Sequence, residues 1–412
     1  MADWNFDTQA IHGGFGPDEQ TGATKVPIYQ SAGFAHETAQ ELEDTFQGKQ
    51  FGYYYSRVSN PTINAIESRI NAMERGRGAV LFSSGMAAIS NTILSLAKAG
   101  DNIVVGKSLF GSTYYLFKGL ISDCGIEVRF VDPTDTSEFE SKIDDSTQLI
   151  FVESLGNPKL DVPDFKALSK IAKAQCIPLI VDSTFTTPFM LQAKEWGIDV
   201  VLYATTKYIC GGGSTIGGAV VDTGNFKWKD SRSKQVKDMA MFGNLSFLSS
   251  LKKVRSNAGA IQAPFNAFIT GLGFETLALR MEKHSTNALA LAQALEKHKA
   301  VDSVNYPGLE SHNEHSLAKE QFNGCFGGML TVRLGSKENA FACIDAFKMI
   351  RNLVNLGDSK TLAVYPATTI YRHLSDQERE EAGVYSDLIR VSVGLENSQD
   401  IINDFIQACD AI

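Results

Sequence analysis

From residue 60 onward, the hydrophobic positions of the chain alternate between two patterns. Short apolar, often β-branched runs are separated by segments in which apolar residues recur every three or four positions. The runs indicate strands and the segments indicate helices. The predicted strands are 79–82, 103–105, 128–131, 149–152, 179–181 and 200–202. Because these strands are largely apolar and alternate with helices, we expect a parallel sheet that is covered on both faces.

The clearest helix prediction starts at Asn60-Pro61. Asn60 suits the position that caps a first turn, and Pro61 suits the first helical position. Apolar residues then repeat at helical spacing, at Ile63, Ile66, Ile70 and Met73. Further helices are predicted at 86–97 and 165–174, and near residues 113, 139 and 191. We therefore expect strands and helices to alternate through residue 202.

The two ends of the chain differ from this middle part. Residues 1–58 are rich in glycine, aromatic and polar residues with little periodicity, which predicts an extended arm. After residue 250 the pattern changes to a long helix at 265–298, then to strands at 329–334 and 389–393 mixed with helices at 339–350 and 401–411. This mixture favours a smaller α/β domain with an antiparallel sheet. We therefore divide the chain into an arm (1–58), a large domain (59–250) and a C-terminal α/β domain (251–412).

The composition narrows the choice of partner. The 412 residues carry a formal net charge of −9, which gives no strong electrostatic footprint for nucleic acid or anionic lipid. No apolar run reaches the roughly 18 residues that a bilayer span requires. The six cysteines are widely spaced, without a CxxC pair and without a secretory leader before them. We expect a cytoplasmic protein with reduced thiols that binds small molecules, and neither nucleic acid nor membrane.

Asp182 and Lys207 are the most informative pair of polar residues. Asp182 ends one predicted strand and Lys207 follows the end of the next. Because the carboxyl ends of parallel strands converge on one crevice, both side chains can face a common ligand. A carboxylate beneath a ring nitrogen and a lysine amine for covalent attachment are what pyridoxal 5′-phosphate requires. From spacing alone, however, an ordinary ion pair at the sheet edge is the simpler interpretation.

Other segments bear on anion or metal binding. The segment 83–88 reads Ser-Ser-Gly-Met-Ala-Ala between a strand and a helix, so its backbone N–H groups can meet a phosphate, although a plain capped turn fits equally well. The Gly-rich run at 211–215 lacks the following lysine of a nucleotide-binding P-loop, and no GxGxxG opens a helix. His312 and His315 have metal-like spacing, but their polar surroundings favour an exposed loop or helix start. We therefore predict no metal site.

Several motifs together resemble the Cys/Met-metabolism family of pyridoxal-phosphate enzymes of fold type I, and most closely its O-acetylhomoserine sulfhydrylase branch. The resemblance extends from residue 6 nearly to the C-terminus. The segments that carry it are Thr21-Gly22-Ala23 to Val26-Pro27-Ile28-Tyr29-Gln30, Tyr55-Ser56-Arg57 to Asn60-Pro61-Thr62, Ser84-Gly85-Met86-Ala87, Val181-Asp182-Ser183-Thr184-Phe185, Thr206-Lys207-Tyr208 and Arg390-Val391-Ser392-Val393-Gly394.

The resemblance implies an architecture and a reaction. The fold would be a large domain with a mostly parallel seven-stranded sheet and a smaller C-terminal α/β domain, assembled as a homotetramer. The reaction would be γ-replacement in methionine biosynthesis, in which O-acetyl-L-homoserine and sulfide, or another sulfur donor such as a carrier protein, give L-homocysteine and acetate. A methionine or cystathionine γ-lyase that releases 2-oxobutyrate and ammonia is the alternative enzyme. A cofactor-binding protein without turnover is a third interpretation, which Lys207, Asp182 and Arg390 together disfavour.

The resemblance also assigns roles around the cofactor ring. Lys207 would hold pyridoxal 5′-phosphate covalently and then move protons on the substrate. Asp182 would pair with the ring nitrogen and keep it protonated. Phe110 would stack on the ring. Lys207 is therefore the expected catalytic residue.

The phosphate and the substrate carboxylate would have their own partners. The backbone of Gly85 and Met86 and the hydroxyl of Thr206 would hold the phosphate. Two further residues, Tyr55 and Arg57, would reach that phosphate from a neighbouring subunit. The substrate α-carboxylate would be bound by Arg390, with Asn157 beside it or beside the cofactor hydroxyl.

The chain departs from the family pattern at several positions. Phe110 replaces a tyrosine, Ala204 a serine and Gly212 a histidine, while Tyr365 and Tyr371 flank a Pro-Ala-Thr motif where relatives often carry histidine. The missing phenol at position 110 favours an ester leaving group, because a carboxylate (conjugate acid pKa roughly 4) departs unprotonated more easily than a thiolate (about 8.5). Tyr114 or Tyr115 could supply a proton instead.

Overall fold

The computed structural model describes residues 4–412, and its first sheet forms the frame of the candidate site. This sheet has seven strands in the order β1-β7-β6-β5-β4-β2-β3. The strands are β1 (Gly78–Phe82), β2 (Asn102–Gly106), β3 (Glu127–Val131), β4 (Thr147–Glu153), β5 (Leu179–Asp182), β6 (Val200–Tyr203) and β7 (Gly218–Asp222). Only β7 runs antiparallel to its neighbours. The prediction of a mostly parallel seven-stranded sheet is confirmed.

Helices cover both faces of this sheet. Alternate strand residues belong to two separate apolar layers, with Val80 and Ile180 in one and Leu81 and Val181 in the other. The helices up to residue 295 are α1 (Phe6–His12), α2 (Ala39–Phe46), α3 (Pro61–Met73), α4 (Gly85–Leu96), α5 (Gly111–Leu116), α6 (Thr136–Lys142), α7 (Phe165–Ala174), α8 (Thr187–Met190), α9 (Lys234–Lys237), α10 (Ser246–Ala258), α11 (Pro264–Phe274) and α12 (Leu277–Leu295). A π-helical turn (Phe117–Ile121) continues α5, and 3₁₀ turns lie at Ala193–Trp196, Trp228–Asp230 and Ala240–Leu245.

Helix α3 forms for the reasons that its sequence suggests. The Asn60 side chain accepts hydrogen bonds from the backbone N–H groups of Thr62 and Ile63, and Pro61 occupies the first turn. The repeating apolar residues are buried against the sheet and α11, as at Ile66 and Ile70. This prediction is confirmed.

The second sheet is built from the C-terminal part of the chain. Its strands are β8 (Ser303–Asn305), β9 (Met329–Arg333), β10 (Arg351–Asn352), β11 (Leu362–Val364) and β12 (Leu388–Ser392), in the order β10-β11-β12-β9-β8. All pairs are antiparallel except β10 with β11. The helices are α13 (His315–Gln321), α14 (Lys337–Ala346), α15 (Asp376–Glu381) and α16 (Ser398–Cys409). The expected second, mainly antiparallel sheet is present, while the division at residue 250, which lies within α10, stays a prediction.

The single long helix predicted at 265–298 is wrong, because the structure breaks it into α11 and α12 at residues 275–276. The end of α11 packs directly on the chain after β6: a Cβ built on Gly273 would lie 2.1 Å from the Ile209 carbonyl oxygen. The Arg280 guanidinium donates to the carbonyl oxygens of Gly273 (2.6 Å) and Ile209 (3.1 Å). The Gly273 carbonyl oxygen in the last turn of α11 is thereby paired, which stabilises the break between the two helices.

The N-terminal segment wraps along the surface with little regular structure besides α1 and α2. It is attached through α3, where the Arg69 guanidinium donates to the Ala10 carbonyl oxygen (2.8 Å) and the Thr62 hydroxyl to that of Pro27 (2.7 Å). Large apolar side chains such as Phe51 stay exposed. No helix within residues 4–412 is both long and apolar enough to cross a membrane.

Candidate active site

A cavity of about 290 Å³ opens at the carboxyl ends of β4, β5 and β6. Its walls come from these strand ends, from the first turns of α4 and α5, and from the second sheet through residues 354–356 and Arg390. This is where ligands bind in open parallel sheets. Eight of the ten predicted site residues line the cavity: Gly85, Met86, Phe110, Asn157, Asp182, Thr206, Lys207 and Arg390.

Lys207 lies in the turn after β6 and is largely buried. Its Nζ donates to the Asn355 side-chain oxygen at 2.7 Å, and no carboxylate of the described residues forms an ion pair with it. Burial, and then the positive charge of Arg390, lower the pKa of the Lys207 amine from 10.5 to about 8. About a tenth of this amine is therefore neutral, and nucleophilic, at pH 7, far more than at the ordinary pKa.

Two carboxylates lie side by side at the ends of neighbouring strands. Glu153 on β4 is the register partner of Asp182 on β5. Asp182 accepts hydrogen bonds from the Thr184 backbone N–H (3.0 Å) and hydroxyl (2.6 Å), yet burial raises the pKa of Asp182 to about 6. Burial and the charge of Asp182 raise the pKa of Glu153, whose oxygen accepts from the Phe110 N–H at 2.7 Å. The pair therefore favours one charge, held on Asp182.

The first turn of α4 is the anion-binding end of the cavity. The Ser84 hydroxyl caps the helix by accepting from the Ala87 N–H at 3.1 Å, and the backbone of Gly85 and Met86 faces the cavity. A Cβ on Gly85 would lie 2.6 Å from the Ala204 Cβ, so the helix start fits here only with glycine. The Thr206 hydroxyl is held nearby by the Gly217 N–H at 3.0 Å.

Arg390 on β12 is 2% exposed, and its hydrogen-bond partners among the described residues are neutral. Its guanidinium donates to the Asn157 side-chain oxygen (3.2 Å) and the Asn355 carbonyl oxygen (3.3 Å). Within residues 4–412, no carboxylate forms an ion pair with it. A buried guanidinium without a counter-charge is costly, and a bound carboxylate would relieve that cost.

Tyr55 and Arg57 do not reach the cavity of their own chain. The Arg57 guanidinium donates to the Ser256 carbonyl oxygen (2.9 Å) and lies 5.4 Å from the centre of the Tyr55 ring. Tyr55 itself is 44% exposed. Their position agrees with a role toward another subunit, which stays a prediction.

Two of the cavity residues that the sequence patterns do not single out, Glu153 and Asn355, bond to predicted site residues. Glu153 carried a usable signal, because it ends an apolar strand next to the one that Asp182 ends. Asn355 lies in the loop between β10 and β11 and carried none. The two histidines of the metal-like motif bond to backbone: His312 to the Leu160 carbonyl oxygen and His315, the first residue of α13, to that of Pro307.

The charged groups of the cavity fit pyridoxal 5′-phosphate. The cavity offers an amine of lowered pKa, a buried carboxylate without a cationic partner and a glycine-lined helix start. These groups correspond to the aldehyde, the ring nitrogen and the phosphate of that cofactor. Arg390 is not needed for these three contacts and is therefore free to bind a second anion, separate from the cofactor phosphate.

Comparison with known proteins agrees with this fit. The sequence profile of the family described as Cys/Met metabolism PLP-dependent enzyme matches residues 7–410. The chain is 40% identical to the homocysteine synthase of Schizosaccharomyces pombe, with 98% of each chain covered. It is 37% identical to the O-acetyl-L-homoserine sulfhydrylase of Leptospira meyeri, with 98% of this chain and 96% of the relative covered. A crystal structure from Campylobacter jejuni that contains N′-pyridoxyl-lysine-5′-monophosphate superposes with a TM-score of 0.90 at 34% identity, covering 99% of this chain and 100% of the other.

Proposed function

Because the chain belongs to the Cys/Met-metabolism family of pyridoxal-phosphate-dependent enzymes, we propose that it is an O-acetylhomoserine sulfhydrylase. It converts O-acetyl-L-homoserine and sulfide to L-homocysteine and acetate, a step of methionine biosynthesis. The observation that carries this proposal is the cavity in which the Lys207 amine and the Arg390 guanidinium both lack a carboxylate partner among the described residues.

Different residues of this chain bind the substrate, transfer protons and keep the cofactor ring protonated. When bound, pyridoxal phosphate stores the negative charge that develops on the substrate carbon. Arg390 binds the α-carboxylate of the amino acid and orients it, with Asn157 beside it. Lys207 removes the proton from Cα, and then serves as the acid and base at Cβ. Asp182 keeps the ring nitrogen protonated, because Glu153 beside it is the carboxylate that gives up its charge.

The lining of the cavity favours an ester substrate. None of the described residues that line it is a tyrosine, histidine or cysteine, and Phe110 stands where a phenol would serve. Tyr114 is outside the lining, and its hydroxyl bonds to Glu378. A leaving group that departs as a stable anion is therefore suited to the site, since acetate needs no proton whereas a thiolate gains from one. This supports O-acetylhomoserine over the thioethers of a γ-lyase.

The phosphate end of the cavity supports an assembly of subunits. Among the described residues that line the cavity, Lys207 and Arg390 are the cationic ones, and neither belongs to the first turn of α4. We propose that Arg57 and Tyr55 of a neighbouring subunit complete the phosphate site of a homotetramer. Free sulfide is the proposed sulfur donor, with a sulfur-carrier protein as the alternative, and the cytoplasm is the proposed location.

One incubation tests the proposal. The purified holoenzyme is given O-acetylhomoserine with and without sulfide, and homocysteine and 2-oxobutyrate are both assayed. We expect homocysteine to form only with sulfide and to exceed 2-oxobutyrate. Faster release of 2-oxobutyrate and ammonia would identify a γ-lyase, and bound cofactor without either product would identify a binding protein. Lys207→Ala is the control for background chemistry.

A further inference from the structure

Tyr371 lies outside the cavity but contacts the two loops that carry Phe110 and Asn157. It belongs to the segment between β11 and α15 and is 1% exposed. Its hydroxyl donates to the Asn157 carbonyl oxygen at 2.7 Å and lies 3.3 Å from the Leu109 carbonyl oxygen. One phenol from the second sheet's part of the chain thus bridges two loops of the first.

The backbone around Tyr371 is pressed against one of these loops. A Cβ on Gly111 would lie 2.7 Å from the Ile370 carbonyl oxygen and 3.4 Å from the Tyr371 ring. The approach therefore depends on the glycine that follows Phe110. Because the contact is this close, the hydroxyl has little freedom to leave the two carbonyl oxygens.

Asn157 is held from two sides. Tyr371 binds its carbonyl oxygen, and Arg390 binds its side-chain oxygen at 3.2 Å. Without the phenol hydroxyl, the buried Asn157 carbonyl would lose its donor, and the loop would shift toward another partner. A shift of Asn157 moves the group that orients the Arg390 guanidinium.

We propose that Tyr371 is a positioning residue that sets Asn157, and through it Arg390, to receive the α-carboxylate of the amino-acid substrate. The proposal rests on the function proposed above for the cavity. Tyr371 acts on amino-acid binding, because within residues 4–412 its hydroxyl faces the Leu109 and Asn157 carbonyl oxygens and bonds to neither Lys207 nor the first turn of α4.

The test compares Tyr371→Phe with Tyr365→Phe. Tyr365 is a buried tyrosine just after β11 whose hydroxyl donates to the Ser386 carbonyl oxygen at 2.9 Å, away from the cavity. Each variant loses one tyrosine hydrogen bond, buried at Tyr371 and partly buried at Tyr365, so both should lower the unfolding midpoint. Only Tyr371→Phe should raise KM for O-acetylhomoserine, by about five- to tenfold, with kcat within about twofold of the parent enzyme.

A second measurement separates this inference from the proposed function. L-Methionine carries the same α-carboxylate, and its Kd for the holoenzyme can be read from the absorbance of the bound cofactor without any sulfur transfer. We expect Tyr371→Phe to weaken it by a similar factor, even if the parent enzyme makes no homocysteine. Unchanged KM and Kd, or equal changes in both variants, would overturn the proposal. Should Tyr371→Phe fail to fold, Tyr371→Met replaces it with the same expectations, because a thioether cannot donate the hydrogen bond.

Discussion

Buried charged groups are paired differently at the two ends of the strands in the first sheet. At the strand ends opposite the cavity, Arg77 and Asp222 form an ion pair at 3.0 Å, and the Trp228 indole N–H donates to the same carboxylate at 2.7 Å. At the cavity, Lys207 after β6 and Arg390 of the second sheet bond to neutral groups and to no carboxylate within residues 4–412. Paired charges hold the frame together, while unpaired ones are costly to the fold and are retained for a ligand. The two cations without a carboxylate partner among the described residues therefore mark the cavity as a place where an anion can bind.

Removing the amine should have the largest effect. Lys207→Ala should lower homocysteine formation by about 10²–10⁴-fold or more, because the acid and base of the reaction is lost. The folded state should not be less stable, since a buried amine without a counter-charge is removed. Product assay together with urea unfolding checks both. Retained activity of the variant, or failure of borohydride to label position 207 of the parent enzyme with pyridoxal phosphate bound, would contradict the assignment.

Breaking the Arg77–Asp222 ion pair should lower stability without affecting substrate binding. Asp222→Asn leaves Arg77 without its counter-charge and should lower the free energy of unfolding by about 3 kcal/mol. KM for O-acetylhomoserine should be unchanged, because the pair lies away from the cavity. Denaturant titration measures the loss. An altered KM with normal stability would show that the Arg77–Asp222 pair serves the cavity and not the fold.

Substitution of the unpaired guanidinium should affect substrate binding more than stability. Arg390→Lys keeps the charge but loses the planar fork, so KM for O-acetylhomoserine should rise about tenfold to a hundredfold. The free energy of unfolding should fall by no more than about 1–2 kcal/mol, because two hydrogen bonds to neutral groups are weakened but no ion pair is broken. Kinetics and unfolding of the same preparation check this. A large loss of stability would mean that Arg390 serves the fold.

The pKa of Lys207 predicts how the cofactor-free protein captures pyridoxal phosphate. Because burial lowers this pKa to about 8, the neutral fraction of the amine rises as pH increases through 8 and then levels off. The rate of capture should increase about tenfold between pH 7 and pH 9. The same shift makes the folded protein more stable as pH rises from about 8 toward 10.5, since the unfolded chain then binds the extra proton. Stopped-flow absorbance measures capture, and a flat profile would refute the assignment.

Adding a phenol to the cavity should have the smallest effect. Phe110→Tyr supplies an acid at the cavity wall and should speed release of 2-oxobutyrate from L-methionine by up to about tenfold. Turnover of O-acetylhomoserine should change less, because acetate departs without a proton. The ratio of the two rates is the readout. A larger gain for the ester would contradict the leaving-group argument.

Much of this organisation follows from local sequence signals. Asn60-Pro61 and the apolar repeat after it predict α3, and the strand ends at Asp182 and before Lys207 predict the cavity, because these signals depend on neighbours in the chain. Strand β7 was not located, since it directly follows a glycine-rich run that is typical of a loop. The role of Asn355 cannot be predicted from the sequence, because its contact with Lys207 spans 148 residues and no periodic pattern links the two.

The contact between Gly85 and Ala204 has a consequence for engineering. Since a Cβ on Gly85 would sit 2.6 Å from that of Ala204, the two positions share one small volume although they lie on different strand-to-helix and strand-to-turn connections. In a mutational library, bulky residues at 204 should therefore be depleted, and glycine at 204 should only partly rescue alanine at 85, because the backbone Cα of residue 204 would still lie 3.0 Å from the added Cβ. Deep mutational scanning of this pair would map how tightly the chain can be repacked.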